Sequence, residues 1–286
     1  MLQQLISGLE TGSWYSLVAL AIVLIMKSTD VPNFAMAEMG LTSAFVAWRI
    51  GDAGAPFAVA VLGGLVFAAI LGVVLEFLFL RPLSGASHFP TLLMTIGITF
   101  GLNAATALYF GTAPKNFSAP WAGTRFTVAG TVVSASQLVT ISVGIVVAIL
   151  LTSFFRTSWG AQMRAIAENR SVARLLGISA GRVSALAWAM GSVMAGIAVI
   201  LATSSTVLSP SLGTGLVLKG FVAAVLGGFT SMTGAFLGGL LIGVLENMAG
   251  YYISTSSKSA IALIVVFAVL MARPSGLFAQ AKAREV

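Results

Sequence analysis

Few residues in this 286-residue sequence could do acid–base, nucleophilic or metal chemistry, and their spacing does not gather them. Cysteine is absent, which removes disulfides and thiolate chemistry, and a single histidine, His88, leaves no cluster for a metal. His88 stands in a loop beside Phe89-Pro90 and needs no special role. Three acids, Glu38, Glu76 and Glu246, interrupt apolar runs, too few for the Asp/Glu/His chain of a proton relay. The sequence has no Gly-Lys dipeptide, hence no GxxxxGK[ST] phosphate cradle, so the chain is not an ATPase by that route. A membrane-embedded enzyme would need a nucleophile, a base and a group to orient them, and no such cluster is visible. What remains is the chemistry of binding. A carboxylate in an apolar run is a functional candidate by default, Glu38 first among them, with snorkelling or a local ion pair as the alternative. Glu76 lies near Arg81 at a helix end, where a structural pairing is expected, and Glu246, beside Asn247, is expected to pair inside the bundle.

The elements that must position these groups follow from composition. Hydrophobic residues make up 58% of the chain and charged residues 8%. Mean hydropathy is +1.02. Soluble chains carry roughly 25% charged residues, so the bilayer is the solvent that accounts for the shortfall. The net charge of +7 does not point to nucleic acid, because Lys and Arg fall in gaps between apolar runs rather than on a polar, aromatic-interleaved face. Spanning takes about 20 apolar residues as a helix, since only helices and closed barrels satisfy their backbone in hydrocarbon, and these runs do not alternate. The expected fold is therefore all-α, a polytopic transmembrane helix bundle of about eight or nine segments, with residues 1–286 forming one transmembrane domain. Spans are predicted over Leu5–Met26, Phe57–Leu80, Thr91–Phe110, Gln137–Phe155, Val183–Thr203, Ala235–Tyr252 and Ser259–Ala272. Phe34–Trp48 and Leu216–Phe229 are apolar but short, as tilted spans, re-entrant segments or broken helices would be. Glu10, with no basic residue before the first run, makes that run a retained span rather than a cleaved signal.

Lys and Arg set the orientation. Arg156, Arg164, Arg170, Arg174 and Arg182 stand against one acid, Glu168, which places residues 156–182 in the cytoplasm. If both short stretches cross, Lys27, Arg81, Arg273, Lys282 and Arg284 fall inside as well, while Arg49, Lys115, Arg125 and Lys258 fall outside and Lys219 is unassigned. The N-terminus is then external and the C-terminus cytoplasmic. Residues 113–136 are expected to form an external loop, with "RFTVAGTVV" alternating as a small hairpin around Ala129-Gly130.

The cytoplasmic segment carries the strongest local signal. Gly160 opens it, Arg164 to Glu168 reads as helix, and Leu175-Leu176 precede a C-capping Gly177, giving one short amphipathic helix between two spans. Val172, Leu175 and Leu176 on one side would fit a groove on a partner, with Arg residues at its rim; the plainer alternative is a basic loop lying on lipid headgroups.

In that segment, "GAQMRAIAENRSVARLLGI" resembles the loop by which permease subunits of bacterial branched-chain amino acid ATP-binding cassette importers dock onto their ATPase. Further matches follow in order: "NFAMAEMGLTSAFVA" from Asn33, "LEFLFLRPLSG" from Leu75, "LLMTIGITFGLNA" from Leu92, "GFVAAVLGGFTSMTGAFLGGLLIGVLEN" from Gly220 and "ARPSGLF" from Ala272. The resemblance covers nearly the whole chain. It implies ATPase contact through Arg164, Glu168, Asn169, Arg174, Leu175, Leu176 and Gly177. It also implies two ATPase subunits that bind ATP and Mg, a second permease chain (identical or homologous), an external solute-binding protein, and residence in the bacterial inner membrane. This chain itself needs no cofactor. Branched-chain amino acids are the expected cargo, with urea, short amides or aromatic acids as alternatives within the same importer type, and an ATP-independent channel as the alternative mechanism. Familiar members often read His-Gly-Glu where this chain has Met36-Ala37-Glu38.

Transporters built from inverted repeats often place their sites at short helices in corresponding positions of the two halves. "VLGGLVFAAILGVVLE" at Val61–Glu76 and "FLGGLLIGVLE" at Phe236–Glu246 look alike, and each follows a short stretch. Asn33, Phe34 and Glu38 enter one short stretch and Gly227, Gly228, Thr230 and Ser231 close the other, which makes them candidates for the translocation path. The alternative for the glycines is close helix packing, as expected for Gly97/Gly101, Gly234/Gly238 and Gly239/Gly243. Thr95 and Asn103 divide between solute contact and an interhelical hydrogen bond.

Overall fold

The computed structural model describes residues 1–29, 32–83, 85, 87–128, 130–254, 258–273 and 276–278. Ala129 of the expected hairpin turn, Pro274 and Ser275 of the last motif, and Lys282 and Arg284 lie outside them.

Apolar runs without periodic polar faces become helices here because hydrocarbon leaves the backbone no other donor or acceptor. They are α1 (Leu2–Thr29), α2 (Met36–Asp52), α3 (Phe57–Leu75), α4 (His88–Phe110), α5 (Ala135–Phe154), α6 (Ser158–Glu168), α7 (Arg170–Leu175), α8 (Ala180–Ala202), α9 (Ser211–Gly227), α10 (Met232–Tyr252) and α11 (Lys258–Ala272). A π-helical turn, Glu76–Leu80, extends α3. Two strands, β1 (Arg125–Val128) and β2 (Thr131–Ser134), pair antiparallel with Arg125 opposite Ser134. This is the hairpin expected from the alternation, and it leads into α5 through a reciprocal Ser134–Gln137 capping box. Six helices, α1, α3 with its π turn, α4, α5, α8 and α10, are long and apolar enough to cross a membrane. The two short stretches are continuous helices of 17 residues each, about 25 Å at 1.5 Å per residue, so neither is broken.

The core is built on α1, whose window is 83% buried, whereas those of α4 and α5 are 17% buried and stand at the periphery. A helix that is apolar all round must be surrounded, and α1 packs against α5, α8, α9 and α10. Small residues permit the approach. A Cβ on Gly243 would stand 2.2 Å from the Gly12 nitrogen, and one on Gly239 2.4 Å from that of Ser16. The order of these contacts makes α1 and α10 antiparallel. Gly72 of α3 meets Trp188 and Ser192 of α8 in the same manner, a Cβ there standing 2.5 Å from the Trp188 carbonyl oxygen.

The two halves therefore repeat one plan. The triple of α1 with α9 and α10 corresponds to that of α8 with α2 and α3, and α2 packs on α3 as α9 does on α10. Contacts of Glu10 with Ser205 and of Ile25 with Gly191 show α1 and α8 running in opposite directions, so the repeat is inverted. The likeness of the two Leu-Gly-Gly helices carries structural meaning: at matching positions Gly63 approaches Ile50 of α2, and Gly238 approaches Ala223 of α9. Of the expected packing pairs, Gly97/Gly101 departs from the plan, because a Cβ at either would meet nothing within 4 Å.

The segment between α5 and α8 also differs from expectation. It is two helices rather than one. Thr157, not Gly160, caps α6, and Gly160 instead lies against the Phe155 backbone, where a Cβ would stand 2.4 Å from its Cα. At Asn169 the backbone turns extended (φ −152°, ψ 103°), and its Oδ1 accepts from the Ser171 and Val172 amides, both at 3.0 Å, to start α7.

Candidate functional site

Glu38 stands in the first turn of α2, fully buried, and joins three helices. Asn103 of α4 donates from Nδ2 to Oε2 at 3.1 Å, and Thr214 of α9 donates from Oγ1 to Oε1 at 3.2 Å. The same Asn103 nitrogen donates to the Pro210 carbonyl at 3.0 Å, which ties α4 to the start of α9. The carboxylate lies over the α9 backbone, for a Cβ on Gly213 would stand 2.7 Å from Oε1. One turn along α2, Thr42 and Thr106 share a hydroxyl contact at 2.9 Å between α2 and α4. An acidic side chain in hydrocarbon is costly unless such donors surround it, and here they come from both halves of the repeat.

Asn33 precedes α2. Its Oδ1 accepts from the Ala35 amide at 2.8 Å, an Asx turn, and its Nδ2 faces the Met39 sulfur at 3.8 Å. The Phe34 ring stacks on Phe221 of α9 with centroids 4.3 Å apart, and Phe221 meets Phe229 edge-on at 6.4 Å. Asn33, Phe34, Glu38 and Asn103 thus gather where α2, α4 and α9 meet. The other candidates lie apart from Glu38. Thr95 is buried and donates within α4 to the Leu92 carbonyl at 2.9 Å. Gly227 packs on Gly234, a Cβ there standing 2.1 Å from the Gly234 carbonyl oxygen. Gly228 takes φ 91°, Thr230 is exposed, and Ser231 caps α10 by accepting from the Gly234 amide at 3.0 Å.

A second polar centre holds Glu246, which pairs inside the bundle as expected, with partners the sequence did not name. Lys219 of α9 forms an ion pair with Glu246 of α10, and Tyr15 of α1 donates to the other oxygen of Glu246 at 2.7 Å. This accounts for the one cation that charge bias left unassigned, and a lone Lys in an apolar run was the available signal. Thr214, by contrast, carried no signal in the sequence. Glu76 pairs with Arg81 at 3.2 Å, as expected of a helix end.

In the basic segment, Arg164 reaches back to donate to the Phe155 carbonyl at the end of α5. Glu168 and Arg174 are exposed. Leu175 and Leu176 are 87% and 74% exposed, and Val172 beside them is 49% exposed. Gly177 takes φ 79°, its amide donating to Arg174 and that of Ile178 to Ala173, both at 3.0 Å, so α7 ends in a Schellman turn. Burial, reinforced by neighbouring Arg174 and opposed by Glu76, holds the Arg170 guanidinium below its ordinary pKa. Three bared apolar side chains on a short, doubly capped helix outside the bundle form a protruding ridge.

Comparison with known proteins agrees with this architecture. Residues 4–273 match the family described as branched-chain amino acid transport system / permease component. The high-affinity branched-chain amino acid transport system permease protein LivH of Escherichia coli is 30% identical over 300 residues, 100% of this chain and 97% of that protein. BraD of Pseudomonas aeruginosa, described in the same words, is 30% identical over 300 residues, 100% of this chain and 98% of its own length. Among solved structures, a chain of PsaBC from Streptococcus pneumoniae in complex with Fab superposes with a TM-score of 0.53 at 16% identity, covering 94% of this chain and 89% of that one, a likeness of fold. With the family matched from the first helix to the last and six helices able to span, the chain is an integral membrane protein of the branched-chain amino acid transport permease family.

Proposed function

We propose that this chain is the translocating subunit of a bacterial ATP-binding cassette importer, carrying branched-chain amino acids inward by alternating access. The observation that carries the reading is the ridge of Val172, Leu175 and Leu176, held by caps at Asn169 and Gly177 and exposed beyond the bundle. Apolar side chains on a rigid ledge fit a groove on a partner. Arg164 fastens α6 to α5, and α6 packs on α1, so a push on the ridge reaches the central helix. Two ATPase subunits binding ATP and Mg would supply that push; a second permease chain and an external solute-binding protein complete the assembly. The α6–α7 end is then cytoplasmic, with the N-terminus external, the C-terminus cytoplasmic and the β1–β2 hairpin outside.

For cargo, relatives named for branched-chain amino acids support that class. Glu38 has the chemistry to receive an ammonium, and the Phe34–Phe221 stack, whose Phe34 precedes it by four residues in the chain, offers an apolar surface. Rocking of α2 and α4 against α9 would open the three-helix junction and release Glu38 from Asn103 or Thr214. The test is reconstitution in vesicles with binding protein and ATPase subunits: leucine uptake that requires ATP and all partners supports the reading. Undiminished uptake without any ATPase would reject it in favour of a facilitator.

A further inference from the structure

Two groups of basic side chains flank the α6–α7 end, and they differ in how their charge is met. In one, Arg81 pairs with Glu76, which also attracts Arg170. In the other, Lys27 from the last turn of α1 sits over the Phe155 ring at 5.7 Å, Arg164 of α6 reaches the carbonyl of that same residue, and exposed Arg156 is its neighbour in the chain. Lys27 and Arg164 repel each other, and among the described residues no carboxylate pairs with Lys27, Arg156 or Arg164. Two cations meet at Phe155 and a third, exposed Arg156, follows it in the chain, and this concentration of positive charge calls for an anion from elsewhere.

The position limits what that anion is. Lys27 belongs to a helix long and apolar enough to span, and Phe155 follows the last residue of another. The cluster therefore lies where hydrocarbon gives way to headgroups, and Trp159, 43% exposed on the first turn of α6, marks the same level as interfacial tryptophans do. Arg164 spends one N–H on the Phe155 carbonyl, and a guanidinium has five, so donors remain for an anion's oxygens. Half-buried Lys27 keeps its stem against α1 and its ammonium at the ring.

We propose that Lys27, Arg156 and Arg164 form a phosphate site around Phe155 that holds the headgroup of an anionic phospholipid in the leaflet at the α6–α7 end. The occupied site neutralises the repulsion between Lys27 and Arg164 and so fixes α6 on α1.

The test is native mass spectrometry of the full chain released from nanodiscs of phosphatidylcholine mixed with phosphatidylglycerol. Wild type retains phosphatidylglycerol in preference to phosphatidylcholine. Lys27→Gln lowers that retention about fivefold, the effect of one basic residue at a membrane surface, and Lys27→Arg restores it. Arg182→Gln, an equal charge loss at the same end but outside the cluster, leaves retention unchanged. Should Lys27→Gln fail to fold, exposed Arg156→Gln gives the same drop. Equal retention by wild type, Lys27→Gln and Arg156→Gln, or no preference over phosphatidylcholine, overturns the proposal. Displacement of the lipid by inorganic phosphate assigns the site to a soluble anion and overturns it also.

Discussion

Removing the ammonium of Lys219 tests how the bundle holds its central helices. The Glu246 side chain is 2% exposed and that of Lys219 18%, so the pair is largely out of water, and Lys219→Met leaves Glu246 with the Tyr15 hydroxyl at 2.7 Å but without its cation. Breaking a buried ion pair at one partner costs about 3–5 kcal/mol, because a buried charge loses its counter-ion. At about 2–4 °C per kcal/mol for a chain of this order of size, thermal unfolding in detergent, followed by circular dichroism, shifts down by about 6–20 °C. The double variant Lys219→Met/Glu246→Gln removes both charges and retains an acceptor for Tyr15, so it recovers to within about 1 kcal/mol of wild type. The cycle then shows a coupling of several kcal/mol between two helices that meet α1. A Lys219→Met shift under about 2 °C, or a double variant as unstable as the sum of the singles, refutes the reasoning.

Gly243→Ala drives a methyl onto the Gly12 backbone and costs about 1–3 kcal/mol, whereas Gly97→Ala, facing open space, stays within about 0.5 kcal/mol; the same thermal assay reads both. Asn103→Leu leaves Glu38 and the Pro210 carbonyl short of a donor and lowers stability by about 1–3 kcal/mol, with a further fall in reconstituted uptake if the three-helix junction opens during transport. Asn169→Ala removes the cap between α6 and α7 and costs about 1 kcal/mol locally, seen as faster amide exchange over Ser171 and Val172 with the remaining helices unchanged.

Six of the seven expected spans coincide with helices long and apolar enough to cross, because hydrocarbon imposes one rule on every residue of a run; the seventh, Ser259–Ala272, falls on α11, a helix of 15 residues. The repeat was legible only at its glycines, where Leu62-Gly63-Gly64 and Leu237-Gly238-Gly239 must each admit a neighbouring helix. Glu38 announced itself as a charge in an apolar run. Its partners did not, since Thr214 becomes a donor to Glu38 only when α9 crosses α2, and no local pattern encodes a crossing. The division of the basic segment at Asn169 was hidden for another reason: Asn suits either the end of one helix or the start of the next, and only the extended backbone there decides. The openness of Gly97 and Gly101 likewise depends on α4 lying at the periphery, which hydropathy does not report.

The most direct test of the importer reading uses a chain that has no native cysteine. A single cysteine at Leu175, carrying a short crosslinker, is expected to capture an ATPase subunit in intact membranes and to resist impermeant thiol reagents added outside cells. Capture of lipid alone, or labelling from the exterior, would contradict it.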